Sequence, residues 1–201
     1  MQIIGTNSSP YTRKVRVCAL EKGVAHEFVV ASPMTGSAVV QAANPLGKVP
    51  VLVRADGSRL IDSPLIAAYL DGLAAEPRLI PTDAALRETT QQIEAVADGV
   101  LDAALLVRVE SLRPTAQYNE EWVSWQLGKV NRGLAYLSAL LSDREMFVGS
   151  ALTLADIAVA CCLGYLEFRL PEHEWGTRYP KLAAHLDALS PRASFADTAF
   201  A

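Results

Sequence analysis

Apolar residues recur with two different periods along this chain, and the change of period divides it. Over residues 1–75 the runs are short. Met1-Gln2-Ile3-Ile4-Gly5 reads as a buried strand and Thr6–Ser9 as a polar turn. Pro10 suits the first position of a helix capped by Ser9, running through Val15, Val17, Cys18, Ala19 and Leu20 and stopping near Gly23. His26–Val30 reads as a second strand, residues 31–36 as a loop, and Ser37–Ala43 as a short helix. Asn44–Pro50 lead into a strand at Val51–Val53. The hairpin turn Ala55-Asp56-Gly57-Ser58 then returns the chain as a fourth strand near Arg59–Ile61. Ser63–Leu73 reads as a helix with Ser63 or Asp62 as its cap.

Beyond a proline-punctuated linker at 76–82 every pattern is helical. Asp83–Val109 carries Leu86, Ile93, Val96, Ala97, Val100, Leu101, Ala104 and Leu105 at helical spacing, and Gln117–Leu141 does the same from Trp122 to Leu141. Thr153–Leu166 and Lys181–Leu189 follow. The fold class expected is therefore a small α/β sandwich over 1–75, its last two strands a hairpin, followed by an all-α helical domain over 83–201.

Composition narrows the function classes. The chain has 201 residues and a net charge of −4, and its densest basic stretch, Arg13-Lys14-Val15-Arg16, is too short for a nucleic-acid surface. The N-terminus lacks the pattern of a signal peptide, and Ile157–Leu166 is too short to span a bilayer, so no membrane association is expected. The three cysteines, Cys18, Cys161 and Cys162, make no disulfide framework, which suits a reducing cytoplasm. The scattered His26, His173 and His185 offer no zinc-ligand spacing, so no metal is expected.

Candidate chemistry centres on Asn44–Val53. Pro50 cannot donate a ladder hydrogen bond and belongs at a strand's first residue, and it pushes Val49 towards extended geometry. The Val49 main chain is then available to pair with a peptide-like ligand as with a neighbouring strand, and a cis Val49–Pro50 bond would place it well for this. At Ser8-Ser9-Pro10-Tyr11 the first N–H groups of a helix favour an anion, and a Ser hydroxyl there can stabilise a thiolate; equally, Ser9 is a plain N-cap. Asp62-Ser63 can grip an α-amino and an α-carboxylate together, or simply cap the next helix. Thr153-Leu154-Ala155-Asp156 is a structural capping box. Trp122 and Trp125 are expected to pack, and Cys161-Cys162 to be inert. Asp98 and Asp102 share a helix face, either solvated or at a partner's edge.

Taken together, Ser-Ser-Pro-Tyr-Thr-Arg-Lys-Val-Arg-Val at 8–17, Asn-Pro-Leu-Gly-Lys-Val-Pro-Val-Leu at 44–52, Asp-Ser at 62–63 and Leu-Thr-Leu-Ala-Asp-Ile-Ala at 152–158 resemble the glutathione S-transferase family over nearly the whole chain. Within it, Ser-Pro-aromatic-x-Arg-Lys and Asp-Ser-Pro resemble the bacterial YibF-like type. The resemblance implies a thioredoxin-like first domain, a helical second domain, a homodimer, and glutathione as co-substrate beside a small electrophile. It implies that Val49 pairs with the cysteinyl unit beside a cis Pro50, and that Asp62 and Ser63 hold the γ-glutamyl end. By the same resemblance Lys48 reaches a glutathione carboxylate, and Ser9 donates to the thiolate. Asp98 of the other subunit is the candidate acid that completes the γ-glutamyl site.

Two departures bear on activity. Many bacterial relatives carry Cys before this proline, where this chain has Ser9, so conjugation or peroxide reduction fits better than mixed-disulfide exchange. Met34-Thr35-Gly36 offers no basic residue for the glycine carboxylate. Tyr11 is an alternative thiolate donor, and Tyr11, Arg108 and Trp122 are candidates for the electrophile's pocket. A non-catalytic glutathione-binding or interaction protein is the alternative to an enzyme, since fold does not fix function. A dehalogenase or isomerase is a narrower form of the enzyme reading.

Overall fold

A computed structural model describes residues 1–201, which form two compact units: Met1–Thr82 with Ser190–Ala201, and Asp83–Leu189. In the first unit β1 (Gln2–Gly5) is followed by α1 (Pro10–Glu21), β2 (Glu27–Val30), α2 (Ala38–Ala43), β3 (Val51–Val53), β4 (Arg59–Leu60) and α3 (Ser63–Gly72). The sheet has the order β2-β1-β3-β4, with β1 parallel to β2 and antiparallel to β3, and β3 antiparallel to β4.

Alternation along the strands explains the layers. Ile4 and Val51 are opposite each other and cluster with Ala31, Val40 and Ala43, which covers this face with α2. Ile3 and Leu52, also opposite each other and fully buried, point the other way, where α1 and α3 pack together. β4 ends one residue earlier than its apolar pattern suggests, because Ile61 leaves the ladder to begin the turn into α3.

The stretch after α3 is not a loose linker. Lys22, its side chain fully buried at the end of α1, lies 3.1 Å from the Asp71 carboxylate and donates to the carbonyls of Ala74 and Pro77, each at 2.6 Å. Asp71 in turn accepts from the N–H groups of Leu79 (2.8 Å) and Ile80 (3.3 Å). One buried ion pair thus satisfies four main-chain groups and folds 74–80 back onto α3 and α1.

The second unit contains α4 (Ala84–Glu110), α5 (Glu120–Leu141), α6 (Leu154–Arg169), α7 (Trp175–Arg178) and α8 (Pro180–Leu189). α6 is buried along nearly its whole length and packs on α4 and α8. Its start is the expected capping box: the Asp156 carboxylate accepts from the Thr153 N–H (2.8 Å) and hydroxyl (2.7 Å), and its other oxygen accepts from the Phe147 N–H (2.8 Å). Trp122 and Trp125 depart from expectation. They are 38% and 54% exposed, their rings tilted against each other at 5.1 Å rather than filling the core, and the Lys129 ammonium sits 3.7 Å from the Trp125 ring centre.

The last twelve residues also depart from expectation. Ser190–Ala201, with α9 (Ala193–Ala196), groups with the first unit and not with the helical one. Arg192 and Ser194 both bond the Glu21 carboxylate, and Arg13 donates to the Phe195 carbonyl at 3.2 Å with its guanidinium 4.6 Å from the Phe200 ring centre. Arg13 and Arg16, two of the basic residues of α1, serve this packing.

Two stability outcomes are expected. Asp71→Ala leaves the Lys22 charge buried and unpaired, so chemical denaturation should show a loss of about 3–5 kcal/mol, partly recovered by Lys22→Met in the same chain. His185 donates Nδ1–H to the Glu145 carbonyl at 3.0 Å and stands edge-on to Phe147, and burial holds its pKa below the ordinary value although Asp156 opposes the shift. The unfolded chain takes up this proton at about pH 6.5, before the folded one does. Melting temperature should therefore fall as pH drops from neutral through that value, and less steeply in His185→Phe; parallel slopes would remove His185 from the effect.

Candidate active site

The strand register brings three candidate groups to one end of the sheet. Ile4 opposes Val51, so the loop leaving β1 and the segment entering β3 lie side by side. Leu52 opposes Leu60, which sets the exit of β4 at that same end. Ser9 after β1, Val49-Pro50 before β3 and Asp62-Ser63 after β4 therefore stand at the same end of three neighbouring strands, in that order. Adjacent strands stand about 4.8 Å apart, so the row spans roughly 10 Å, the length of an extended tripeptide at about 3.3–3.6 Å per residue.

In the middle of this row the Val49–Pro50 bond is cis. No hydrogen bond engages the Val49 N–H or carbonyl, and the β1–β3 ladder begins only at Val51. Asn44 shapes the approach. Buried to 3% exposure, it accepts from the Leu46 N–H (2.9 Å), donates to the Lys48 carbonyl (2.9 Å) and offers its own carbonyl to the Gly47 N–H (2.9 Å). Gly47 adopts φ +62°, a left-handed conformation costly for other residues. The loop is thus closed on one side chain, and Lys48 is left exposed beside Val49.

At the row's far side the Ile61–Asp62 bond is also cis, and Asp62, not Ser63, caps α3. Its carboxylate accepts from the Ser63 N–H at 2.5 Å, so that amide is already engaged. Asp62 is exposed. The Ser63 hydroxyl is fully buried and has no hydrogen-bond partner in the chain, which is uncommon for a buried polar atom.

At the near side Ser9 is the N-cap of α1: its oxygen accepts from the Thr12 N–H at 3.2 Å. Pro10 follows as the first helical residue, where its missing N–H costs nothing. Accepting uses a lone pair and leaves the hydroxyl proton for donation, so capping and thiolate donation are compatible roles. Tyr11 is half-buried in the first turn.

The remaining candidates lie in the helical unit. Asp98 is half-buried on α4, close enough to Cys162 of α6 to add to the raised pKa of that thiol, whose main cause is burial, with Cys161 contributing as well. Its neighbour Asp102 is exposed. Both thiols of Cys161-Cys162 are fully buried and form no disulfide. Arg108 is half-buried near the end of α4 and bonds Ser111 at 3.3 Å. No group of histidine, cysteine and acidic residues is placed to hold a metal ion, and no helix is long and apolar enough to cross a membrane.

Residues 3–78 match the family model for the glutathione S-transferase N-terminal domain, and residues 84–188 match that for its C-terminal domain. The chain belongs to the glutathione S-transferase family. It is 39% identical over 198 residues, 98% of each chain, to the uncharacterized GST-like protein YibF of Escherichia coli K12. Among solved structures, a glutathione S-transferase from Methylobacillus flagellatus KT with glutathione bound is 42% identical, with a TM-score of 0.95 over 100% of this chain and 99% of that one. A glutathione S-transferase from Methylobacterium radiotolerans in complex with glutathione sulfonate is 37% identical, with a TM-score of 0.95 over 100% and 95% of the two chains.

In this glutathione S-transferase, Asn44 is a further residue of the candidate site, one that the apolar pattern does not single out. Its signal is local: Asn before Pro, with Gly three residues on, is the composition of a turn closed by an amide side chain. Asn44→Ala should leave the Leu46 N–H and Lys48 carbonyl without partners and cost about 1–3 kcal/mol. Hydrogen exchange should then accelerate across 45–49 while α1 stays protected; unchanged exchange in that loop would show that Asn44 does not hold it.

Proposed function

We propose that this chain is a glutathione transferase that activates the glutathione thiol for attack on a small electrophile or peroxide. The observation that carries the reading is the row of three strand-end groups, sized for a tripeptide and offering three different chemistries. The free main chain of Val49 pairs with the cysteinyl unit. The exposed Asp62 carboxylate takes the γ-glutamyl ammonium, and the partnerless Ser63 hydroxyl takes the neighbouring carboxylate. Lys48 meets a further glutathione carboxylate by charge. Ser9, at the positive end of α1, donates to the sulfur and lowers the cost of its ionisation. The glutathione held by structural relatives supports the ligand, while the electrophile is read from the chemistry of an activated thiol alone.

In the homodimer that the family implies, Asp98 of a second copy would complete the γ-glutamyl site; its half-buried place beside Cys162 does not favour this role. A second reading is glutathione binding without turnover. The turn Pro33–Thr35 favours it, because it presents an exposed Met34 where a cation would serve the glycine carboxylate.

One hydrogen bond to a charged group is worth roughly 1.5–3 kcal/mol. Ser9→Ala is therefore expected to raise the pKa of the bound thiol and to slow conjugation of a generic aromatic electrophile about ten- to a hundredfold. An unchanged pKa and rate would exclude Ser9 from the chemistry. Calorimetry with glutathione separates the two readings: binding with turnover supports the transferase, binding without turnover the second, and absence of binding removes both.

A further inference from the structure

The thiolate donor assigned above is held from behind by a residue that touches no ligand. Ser9 closes a four-residue turn, its N–H donating to the Thr6 carbonyl at 3.2 Å. Asn7 lies inside this turn, and its side-chain oxygen accepts from Arg16 Nη1 at 3.0 Å, across from the middle of α1. The same guanidinium lies 4.0 Å from the Phe28 ring centre on β2, and its Nη2 donates to the Asp197 carbonyl at 3.3 Å. One planar group therefore joins the β1–α1 turn, the neighbouring strand and the returning C-terminal segment. Lysine could not replace it: an ammonium is a point charge, whereas the guanidinium stacks its face while donating in two directions along its edge.

Anchoring of the C-terminal segment does not account for this arrangement. That segment is already held by Arg13 at Phe195 and Phe200, and by the Glu21 carboxylate, which takes two bonds from Arg192 and one from Ser194. The Asn7 arm of Arg16 adds nothing to that hold, because it acts on the turn. Apart from that arm, the turn is closed by one main-chain bond and a long 3.4 Å contact between the Thr6 and Ser8 hydroxyls; only its last residue is held by α1, the Ser9 carbonyl accepting from the Arg13 N–H at 2.9 Å. A hydroxyl that must aim at a sulfur within hydrogen-bond tolerance needs its Cα fixed, and Ser9 has its oxygen tied only to Thr12 N–H.

We propose that Arg16 is a positioning residue for thiol activation: by gripping Asn7 it fixes the turn that aims the Ser9 hydroxyl, with Phe28 and the Asp197 carbonyl as its backing. The proposal rests on the reading of Ser9 as the thiolate's donor. Val49 lies before β3, and Asp62 and Ser63 lie after β4, away from this turn, so affinity for glutathione in its thiol form is not expected to depend on this grip.

The test is a titration of bound glutathione by ultraviolet absorbance of its thiolate, together with steady-state kinetics, on the full chain. Asn7→Ala and Arg16→Lys should each raise the thiol pKa by about half a unit to one unit and lower kcat about three- to tenfold, the scale of a hydrogen bond misaimed rather than deleted. KM for glutathione, measured below the pKa of the bound thiol, should stay within about twofold, because uniform binding is spared. Glu21→Gln, which unties Arg192 and Ser194 but leaves Arg16 in place, should lower the melting temperature and leave the thiol pKa unchanged. If Glu21→Gln raises the pKa as much as Asn7→Ala does, general loosening is the cause and the proposal falls. A lowered thiol pKa in the wild type that persists in both Asn7→Ala and Arg16→Lys overturns the role of Arg16 alone. A wild-type thiol no more acidic than that of free glutathione overturns the Ser9 reading and this proposal with it.

Discussion

The antiparallel pairing of β1 with β3, Ile4 opposite Val51, is the interaction on which the candidate site depends. It does two things at once. It buries both side chains in the cluster under α2, and it sets the end of β1 level with the start of β3. A slip by one residue would turn Ile4 and Val51 to the wrong face and displace the cluster, so the same apolar burial that stabilises the sheet also fixes the spacing of its loops. β4 adds the third position through Leu52 and Leu60. The site inherits its width from the strand spacing, and no side chain in it has to supply that dimension.

Around this frame, polar groups are used sparingly and mostly for attachment. Lys22 and Asp71 are a buried pair that would be costly alone, and they are sustained by four main-chain groups of the following segment. Arg13, Arg16 and Glu21 secure the C-terminal residues against α1. What remains without a partner is therefore informative. The main chain of Val49 and the hydroxyl of Ser63 stand out as polar groups without a partner at the site end of the sheet.

Much of this was legible without coordinates. The elements of the first unit and the long helices appear in the apolar spacing, because a strand or helix that buries one face must repeat with that face. Thr153 and Asp156 announce their capping box at a distance of three residues, and Pro50 announces a strand start because it has no N–H to give. Trp122 and Trp125 misled: aromatic residues at helical spacing suggest a core face, but the helix turns them outward onto each other and Lys129. The C-terminal assignment misled for a related reason. Nothing local in Ser190–Ala201 distinguishes packing on the helices before it from packing on α1 far behind it.

Sequence by itself determined the local and periodic features of this protein: two regions of different period, the capped helix starts at Ser9 and Thr153, the proline before β3, and the four motifs that together indicate the family. Those features depend on residues within a few positions of each other, and short-range sterics and hydrogen bonding suffice to produce them. Only the tertiary structure decided that Ser9, Val49 and Ser63 share one end of a sheet, that Lys22 meets Asp71, and that Arg16 ties Asn7 to Asp197. Most of these meetings join groups tens of residues or more apart along the chain. Strand register and helix packing bring them together, and neither leaves a mark on the neighbouring sequence.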